Sequence, residues 1–70
     1  MKITNIYEEE HEVEVGDLVG FKSDFEQYGR VIKLFGDYAI IENENGFGGE
    51  YIGGQTQTQV STDRLWKDPA

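Results

Sequence analysis

The chain contains 70 residues, no cysteine and a formal net charge of -8 at pH 7, from 14 acidic and six basic residues. A chain of this length forms one domain with a thin core. The lack of cysteine excludes disulfides, thiolate metal sites and a thiol nucleophile. The acidity argues against direct binding to nucleic acid or to anionic membranes, because both attract cationic surfaces. It favours a protein partner with a basic surface.

The N-terminal part of the chain mixes glutamates with a few apolar residues. The run MKITNIYEEEHEVEV lacks the apolar segment of a signal peptide, and no stretch of the chain approaches the roughly 20 apolar residues of a membrane span. We therefore expect a cytoplasmic protein. Residues 2–7 predict a short edge strand or a loosely docked arm, and the three glutamates at 8–10 predict a solvated segment. Val13 and Val15 alternate with glutamates, which is typical of a half-buried strand.

Residues 16–42 contain three short apolar runs separated by Gly and Asp, the pattern of antiparallel strands. We expect strands over residues 18–22, 30–35 and 38–42. Both faces of the second strand are apolar, which predicts a strongly bent strand. Gly36-Asp37 predicts a two-residue hairpin turn of type II′. Residues 23–29 predict either a single helical turn or an irregular loop.

The C-terminal part begins with a glycine-rich segment, residues 43–54, which holds five of the nine glycines. Residues 55–60 alternate between Gln on one face and Thr or Val on the other, which predicts a strand with one wet face. Residues 61–66 predict a short 3₁₀ turn with a Ser or Thr cap. Leu65 and Trp66 would then close the core, and residues 67–70 would form a tail.

Five short strands joined by tight turns predict an all-β domain over residues 1–70, built as a small five-stranded barrel. The run VEVGDLVGFKSDFEQYGRVIKLFGDYAII resembles the beginning of an SH3-like barrel of the KOW or Tudor kind, and the closing VSTDRLW is similar to the short 3₁₀ turn of those domains. The resemblance implies an SH3-like barrel over most of the chain. The stretches FKSDFEQYG and ENENGFGGEY also resemble small proteins of tailed bacteriophages, which implies a phage origin and a location in the host cytoplasm.

Catalytic and metal-binding patterns fail their spacing tests. His11, the single histidine, lies among glutamates, but neighbouring strand residues point to opposite faces and do not converge on a metal. Placing Gly46 at the sixth position of a calcium loop puts Ile41 and Ile52 where carboxylates are required. No Gly-Lys-Ser or Gly-Lys-Thr phosphate loop is present. We therefore expect a non-enzymatic protein without a cofactor or a metal.

Aromatic residues in two loops are the best candidates for a binding site. In SH3-like barrels the corresponding loops often lie side by side, so rings from residues 23–29 and 43–54 would meet. Aromatic rings beside carboxylates suit Lys, Arg or methylated cations, at about 0.5–2 kcal/mol per contact. We therefore expect a basic peptide or protein surface to dock there. The predicted partner-binding residues are Phe25, Tyr28, Phe47, Tyr51, Asp24, Glu26 and Glu50.

Other interpretations of the same residues stay open. The rings could instead fill the ends of the barrel, because a small domain needs aromatic burial for stability. The diffuse acidity also fits a nucleic-acid mimic that inhibits a host nucleic-acid enzyme, although a charge of this size also keeps a small domain soluble. Finally, the strand over residues 55–60 could pair edge to edge with another chain in an assembly.

Overall fold

A computed structural model describes residues 1–22, 26–47 and 55–67. These residues form seven β-strands and one 3₁₀ turn, in agreement with the predicted all-β class. None of them forms a helix that could cross a membrane. The elements in chain order are β1 (Lys2–Thr4), β2 (Glu10–Glu12), β3 (Leu18–Phe21), β4 (Gln27–Leu34), β5 (Tyr38–Glu42), β6 (Gln57–Ser61), the 3₁₀ turn (Thr62–Arg64) and β7 (Trp66–Lys67).

The strands form two antiparallel sheets. The larger has five strands in the order β6-β5-β4-β3-β7, and β1 and β2 form a separate hairpin. The five strands do not close into a barrel, so the predicted closed barrel is wrong for the described residues. One reason is that β7 is only two residues long and pairs with β3 alone. The β1–β2 hairpin packs beside it, where the Lys67 Nζ donates to the Glu12 carbonyl at 2.9 Å.

The N-terminal hairpin confirms the short edge strand, one of the two alternatives for residues 2–7, and differs from the prediction for Val13 and Val15. Residues 2–7 are not a loose arm, because β1 pairs in full with β2 and buries Ile3. The expected strand through Val15 ends earlier: Val13 is fully buried, but Val15 is 61% exposed. After β2 the chain turns at Gly16, whose φ of 99° favours glycine. The alternation of Val and Glu predicted two buried valines, of which Val13 is confirmed and Val15 is wrong.

Strand β4 is longer than predicted and bent. It begins at Gln27, which pairs with Phe21, so Tyr28 belongs to a strand and not to a loop. The register with β5 shifts between Val31 and Lys33, which marks a β-bulge. A bulge bends a strand, and this bend accounts for the apolar residues on both of its faces.

The β4–β5 hairpin turn lies where the sequence predicts it. The Phe35 N–H donates to the Tyr38 carbonyl at 2.9 Å and encloses Gly36-Asp37. Gly36 does not take a positive φ, which the type II′ turn requires at its first central position. The predicted position of the turn is therefore confirmed, whereas the predicted type II′ is wrong.

The core lies between the inner face of the larger sheet and the β1–β2 hairpin. Phe21 is its largest fully buried side chain, and Leu65 follows the 3₁₀ turn into the core as predicted. Trp66, expected to close the core, is instead half-buried. The buried apolar residues are Ile3, Val13, Val19, Phe21, Val31, Ala39, Ile41, Phe47, Val60 and Leu65.

Candidate functional site

The predicted binding residues divide into three groups. Asp24, Phe25, Glu50 and Tyr51 lie outside the described residues. Phe47 is only 3% exposed, and its ring packs edge-on against Phe21 with the centroids 5.5 Å apart. Phe47 is therefore a core residue, as the barrel-filling interpretation expected, and cannot reach a partner in the folded protein. Tyr28 and Glu26 lie at the surface, where the Tyr28 hydroxyl donates to the Glu26 carboxylate at 2.9 Å.

Tyr28 belongs to a line of three aromatic rings on the outer face of the protein. Its ring lies edge-on to Trp66, with centroids 6.4 Å apart and an interplanar angle of 89°. Trp66 in turn lies edge-on to Tyr7, at 6.0 Å and 75°. Tyr7 is 43% exposed and Tyr28 is 36% exposed. We call Tyr7, Trp66 and Tyr28 the aromatic row; three different elements contribute to it.

Gly20 explains why the indole lies across the sheet at this point. Gly20 is paired with Tyr28 on one side and with Trp66 on the other, because β3 runs between β4 and β7. A Cβ atom at Gly20 would overlap the indole and would lie 2.8 Å from Trp66 Cζ2. The missing side chain therefore leaves the space that Trp66 fills. Glycine inside a strand often marks such a close approach, and this was the sequence signal available for the row.

Asn5 fixes the position of Tyr7 at the tip of the β1–β2 hairpin. Its side chain is 5% exposed. The Nδ2 group donates to the Leu65 carbonyl at 3.0 Å and to Glu9 Oε1 at 3.1 Å. The Oδ1 atom accepts from the backbone N–H groups of Tyr7 at 2.9 Å and of Glu9 at 3.0 Å. One buried side chain thus ties the hairpin tip to the segment that carries Trp66.

The surroundings of the row are acidic. The hydrogen bond from Asn5, followed by a smaller contribution from His11, lowers the pKa of Glu9 and so favours its charged form. The nearby Lys67 is already engaged, because its Nζ lies 3.1 Å from Asp17 Oδ2. The row therefore combines two exposed rings and a half-buried indole with carboxylates, and Lys67, next to Trp66 in the chain, is paired with Asp17.

An open groove of about 320 Å³ adjoins Tyr28. Glu42 supplies a carboxylate to its wall and accepts a hydrogen bond from Gln57 Nε2 at 2.8 Å. Arg30 also lines the groove, and its Nη1 donates to the Gly16 carbonyl at 3.2 Å. The wall is formed by Leu18, Tyr28, Gly29, Arg30, Glu42, Asn43, Glu44 and Asn45.

Residues 1–22, 26–47 and 55–67 contain no cluster of side chains that could bind a metal ion. No three His, Cys, Asp or Glu residues in these ranges gather as metal ligands. His11 Nε2 lies 3.4 Å from Glu9 Oε1, and the ring is only partly exposed. The aromatic row with its groove is the candidate binding surface that the described residues offer.

Comparison with protein-family models, with curated proteins and with solved structures gave no match.

Proposed function

We propose that the protein is a non-enzymatic binding module whose aromatic row and adjoining groove hold a basic segment of a partner protein. One observation carries this proposal. The ring centroid of Trp66 lies 6.0 Å from that of Tyr7 and 6.4 Å from that of Tyr28, beside carboxylates, in a chain of net charge -8. Exposed aromatic rings are costly to leave uncovered and are enriched where partners dock.

The chemistry of the surface favours cationic side chains. A guanidinium or ammonium over the face of an aromatic ring gains about 0.5–2 kcal/mol. Glu26 holds its carboxylate at the Tyr28 hydroxyl, and Glu42 and Glu44 add carboxylates along the groove. A partner segment with Arg or Lys would therefore meet a ring face and a negative charge at the same place.

The test is titration of the protein with a synthetic peptide of about 12 residues in which Arg and Lys alternate with Gly, followed by chemical-shift perturbation and calorimetry. We expect Tyr28→Ala and Tyr7→Ala each to weaken binding by roughly 2–30-fold, the range that about 0.5–2 kcal/mol corresponds to. The matched control is Phe35→Ala, which removes a ring that is 42% exposed and stacks on Tyr38 instead. Circular dichroism checks that each variant is folded.

Two outcomes would contradict the proposal. In the first, a peptide with Glu in place of Arg and Lys binds equally well, which would exclude recognition of charge. In the second, Tyr28→Ala and Tyr7→Ala fold and bind as the wild type does, or lose no more affinity than Phe35→Ala. Either result would remove the aromatic row as the site.

The alternative function is an acidic mimic that inhibits a host nucleic-acid enzyme. It differs from the first proposal in its expected response to mutation and salt. Charge reversal at the exposed Glu8, Glu10 and Glu12 should abolish inhibition, whereas Tyr28→Ala should matter little. Such a complex should weaken steeply with salt, because screening acts on exposed charges.

We also propose an SH3-like fold and a bacteriophage origin for this chain. The succession of four antiparallel strands, a 3₁₀ turn and a last strand that pairs with the first of them supports an SH3-like arrangement that is left open. The resemblance to small proteins of tailed bacteriophages supports a phage origin and a host or phage complex as the partner. Expression in a bacterial host and affinity capture, repeated at low and high salt, would test both the partner and its charge.

A further inference from the structure

Among the described residues, strand β6 is an edge strand of the larger sheet. It pairs with β5 on one side and is the last strand in the sheet order. The Asn43 N–H donates to the Thr56 carbonyl at 2.8 Å, and the Thr62 N–H donates to the Asp37 carbonyl at 3.1 Å. In an antiparallel pair, the residues that bond to the neighbour alternate with residues whose backbone groups point away. The backbone groups of Gln57, Gln59 and Ser61 therefore point out of the sheet, where no described residue pairs with them.

This edge differs from the rest of the protein in charge. Residues 55–62 read QTQTQVST and contain no charged residue, so all 20 acidic and basic residues lie elsewhere. Natural sheets protect an open edge with Lys, Pro, a bulge or an inward-pointing charge. Strand β6 contains no Lys, no Pro and no other charged residue that would protect its edge. A sequence rich in Thr and Gln, with a valine, is also compatible with further strand pairing.

We propose that a second copy of this chain pairs with β6 in antiparallel orientation, about a two-fold axis at Gln59. In this register Gln59 faces Gln59 of the second copy, and Gln57 faces Ser61. These are the three positions whose backbone groups point outward, so all of them would be satisfied at once. The contact would be isologous, with the same patch on both copies, which is the usual symmetry of dimers.

The lack of charge at the β6 edge favours a second copy of this chain, rather than a basic partner, as the molecule that pairs there. Two molecules of net charge -8 repel each other, and carboxylates facing one another across a sheet add to the repulsion. The β6 edge lets them meet without opposing any charge. A basic partner, in contrast, gains no electrostatic attraction from a neutral edge, whereas the aromatic row offers it both rings and carboxylates.

The neighbouring β4–β5 hairpin carries a pair of aromatic rings close to this edge, beside the exposed Asp37. Tyr38 pairs with Ser61, one strand inward from the edge. Its ring stacks on Phe35 with the centroids 4.6 Å apart and an interplanar angle of 26°. In the proposed register Gln57 of the second copy lies opposite Ser61, about two strand spacings or ~10 Å from Tyr38. Long side chains on this face can therefore cover part of the exposed aromatic pair.

The association should be reversible, since a five-residue edge buries less than the roughly 1,200 Å² of a stable interface. Sedimentation equilibrium from about 10 µM to about 1 mM, at physiological salt, should show the average mass rising from 8.0 kDa toward twice that value. A mass of 8.0 kDa over the whole range would overturn the proposal.

Two substitutions at the axis separate strand pairing from a general charge effect. Gln59 is exposed, so Gln59→Glu and Gln59→Lys should both fold, and each places a charge opposite its own copy. Both should weaken association by about tenfold or more. The controls are Thr4→Glu and Thr4→Lys, at an exposed position on β1. Their effects on association should be much smaller, with Thr4→Glu weakening it slightly and Thr4→Lys strengthening it slightly. If Gln59→Lys associates more strongly than the wild type while Gln59→Glu associates less, net charge controls the association and the β6 contact is refuted.

Discussion

Replacing Gly20 by alanine tests the arrangement that places Trp66 in the aromatic row. The new Cβ would overlap the indole, since it would lie 2.8 Å or less from three of its atoms. Overpacking of this kind costs about 1–3 kcal/mol. The substitution also lowers the entropy of the unfolded chain, which returns about 0.4–1 kcal/mol. The difference of the two mid-range values predicts that Gly20→Ala lowers the free energy of unfolding by about 1.3 kcal/mol.

Two measurements follow the effect of this change. Urea unfolding gives the loss of stability, and in a chain of this size about 1 kcal/mol corresponds to a shift of about 4–8 °C in Tm. The fluorescence of Trp66, the single tryptophan, reports whether the indole has moved toward solvent. The emission maximum should shift to longer wavelength in the folded variant, and binding of the basic peptide should weaken with it.

Gly36→Ala is the matched control. It makes the same chemical change in the turn between β4 and β5, where a Cβ at Gly36 meets no atom within 4 Å and the φ is not positive. This variant should be as stable as the wild type or up to about 1 kcal/mol more stable. If Gly20→Ala behaves like Gly36→Ala in stability and in Trp66 emission, the close approach of the indole to β3 is wrong and the aromatic row is wrong with it.

Three further changes probe the elements that hold the row in place. Asn5→Ala removes a buried side chain that makes four hydrogen bonds; urea unfolding should show a loss of about 2–4 kcal/mol, because backbone partners are left unsatisfied. Glu8 has a φ of 64°, so Glu8→Gly should raise the free energy of unfolding, measured by urea denaturation, by about 1 kcal/mol, whereas Glu8→Ala should not. The hydrogen bond from the Glu14 N–H, followed by that from Lys67, lowers the pKa of Asp17. The charged Asp17 therefore stabilises the fold at neutral pH, and this contribution is lost as the pH falls through the lowered pKa. The difference in unfolding free energy between the wild type and Asp17→Asn should be constant near pH 7 and vanish in acid, and a difference independent of pH would refute the linkage.

The parts of the fold that sequence predicted well depend on local signals. Strands β3 and β5 were found because short apolar runs end at Gly and Asp, and the 3₁₀ turn (Thr62–Arg64) was found from its capping residues. The start of β4 was missed because Ser23 and Gly29 resemble the ends of a helical turn. Gln27 joins the strand only because Phe21 of β3 pairs with it, and that pairing has no local signature.

The site was harder to predict for the same reason. Tyr28 was identified from its position near acidic residues, but Trp66 was assigned to the core and Tyr7 was not considered. The three rings meet because β3 places Gly20 between β4 and β7 and because Asn5 docks the hairpin tip. Both are long-range arrangements. At Phe47 the glycine-rich surroundings suggested an exposed loop, whereas contact with Phe21 buries the ring.

The aromatic row and the outer edge of β6 lie in different parts of one sheet, and this has a consequence for binding. The aromatic row spans β4, β3 and β7, whereas β6 ends the other side. Pairing through β6 would produce a ten-stranded sheet that leaves both rows free. The two β7 strands would be at most about nine strand spacings, or roughly 40 Å, apart, because the bend of each sheet shortens the distance.

A partner with two basic segments at that separation would then bind with avidity, because the second contact is intramolecular. Gln59→Glu should leave the affinity for a single basic peptide unchanged and lower the affinity for two such peptides joined by a linker long enough to span the rows. Titration of the wild type and of Gln59→Glu with both probes measures this difference. Equal loss of affinity for the single and the joined peptide would show that Gln59 acts on the row itself and not through a dimer.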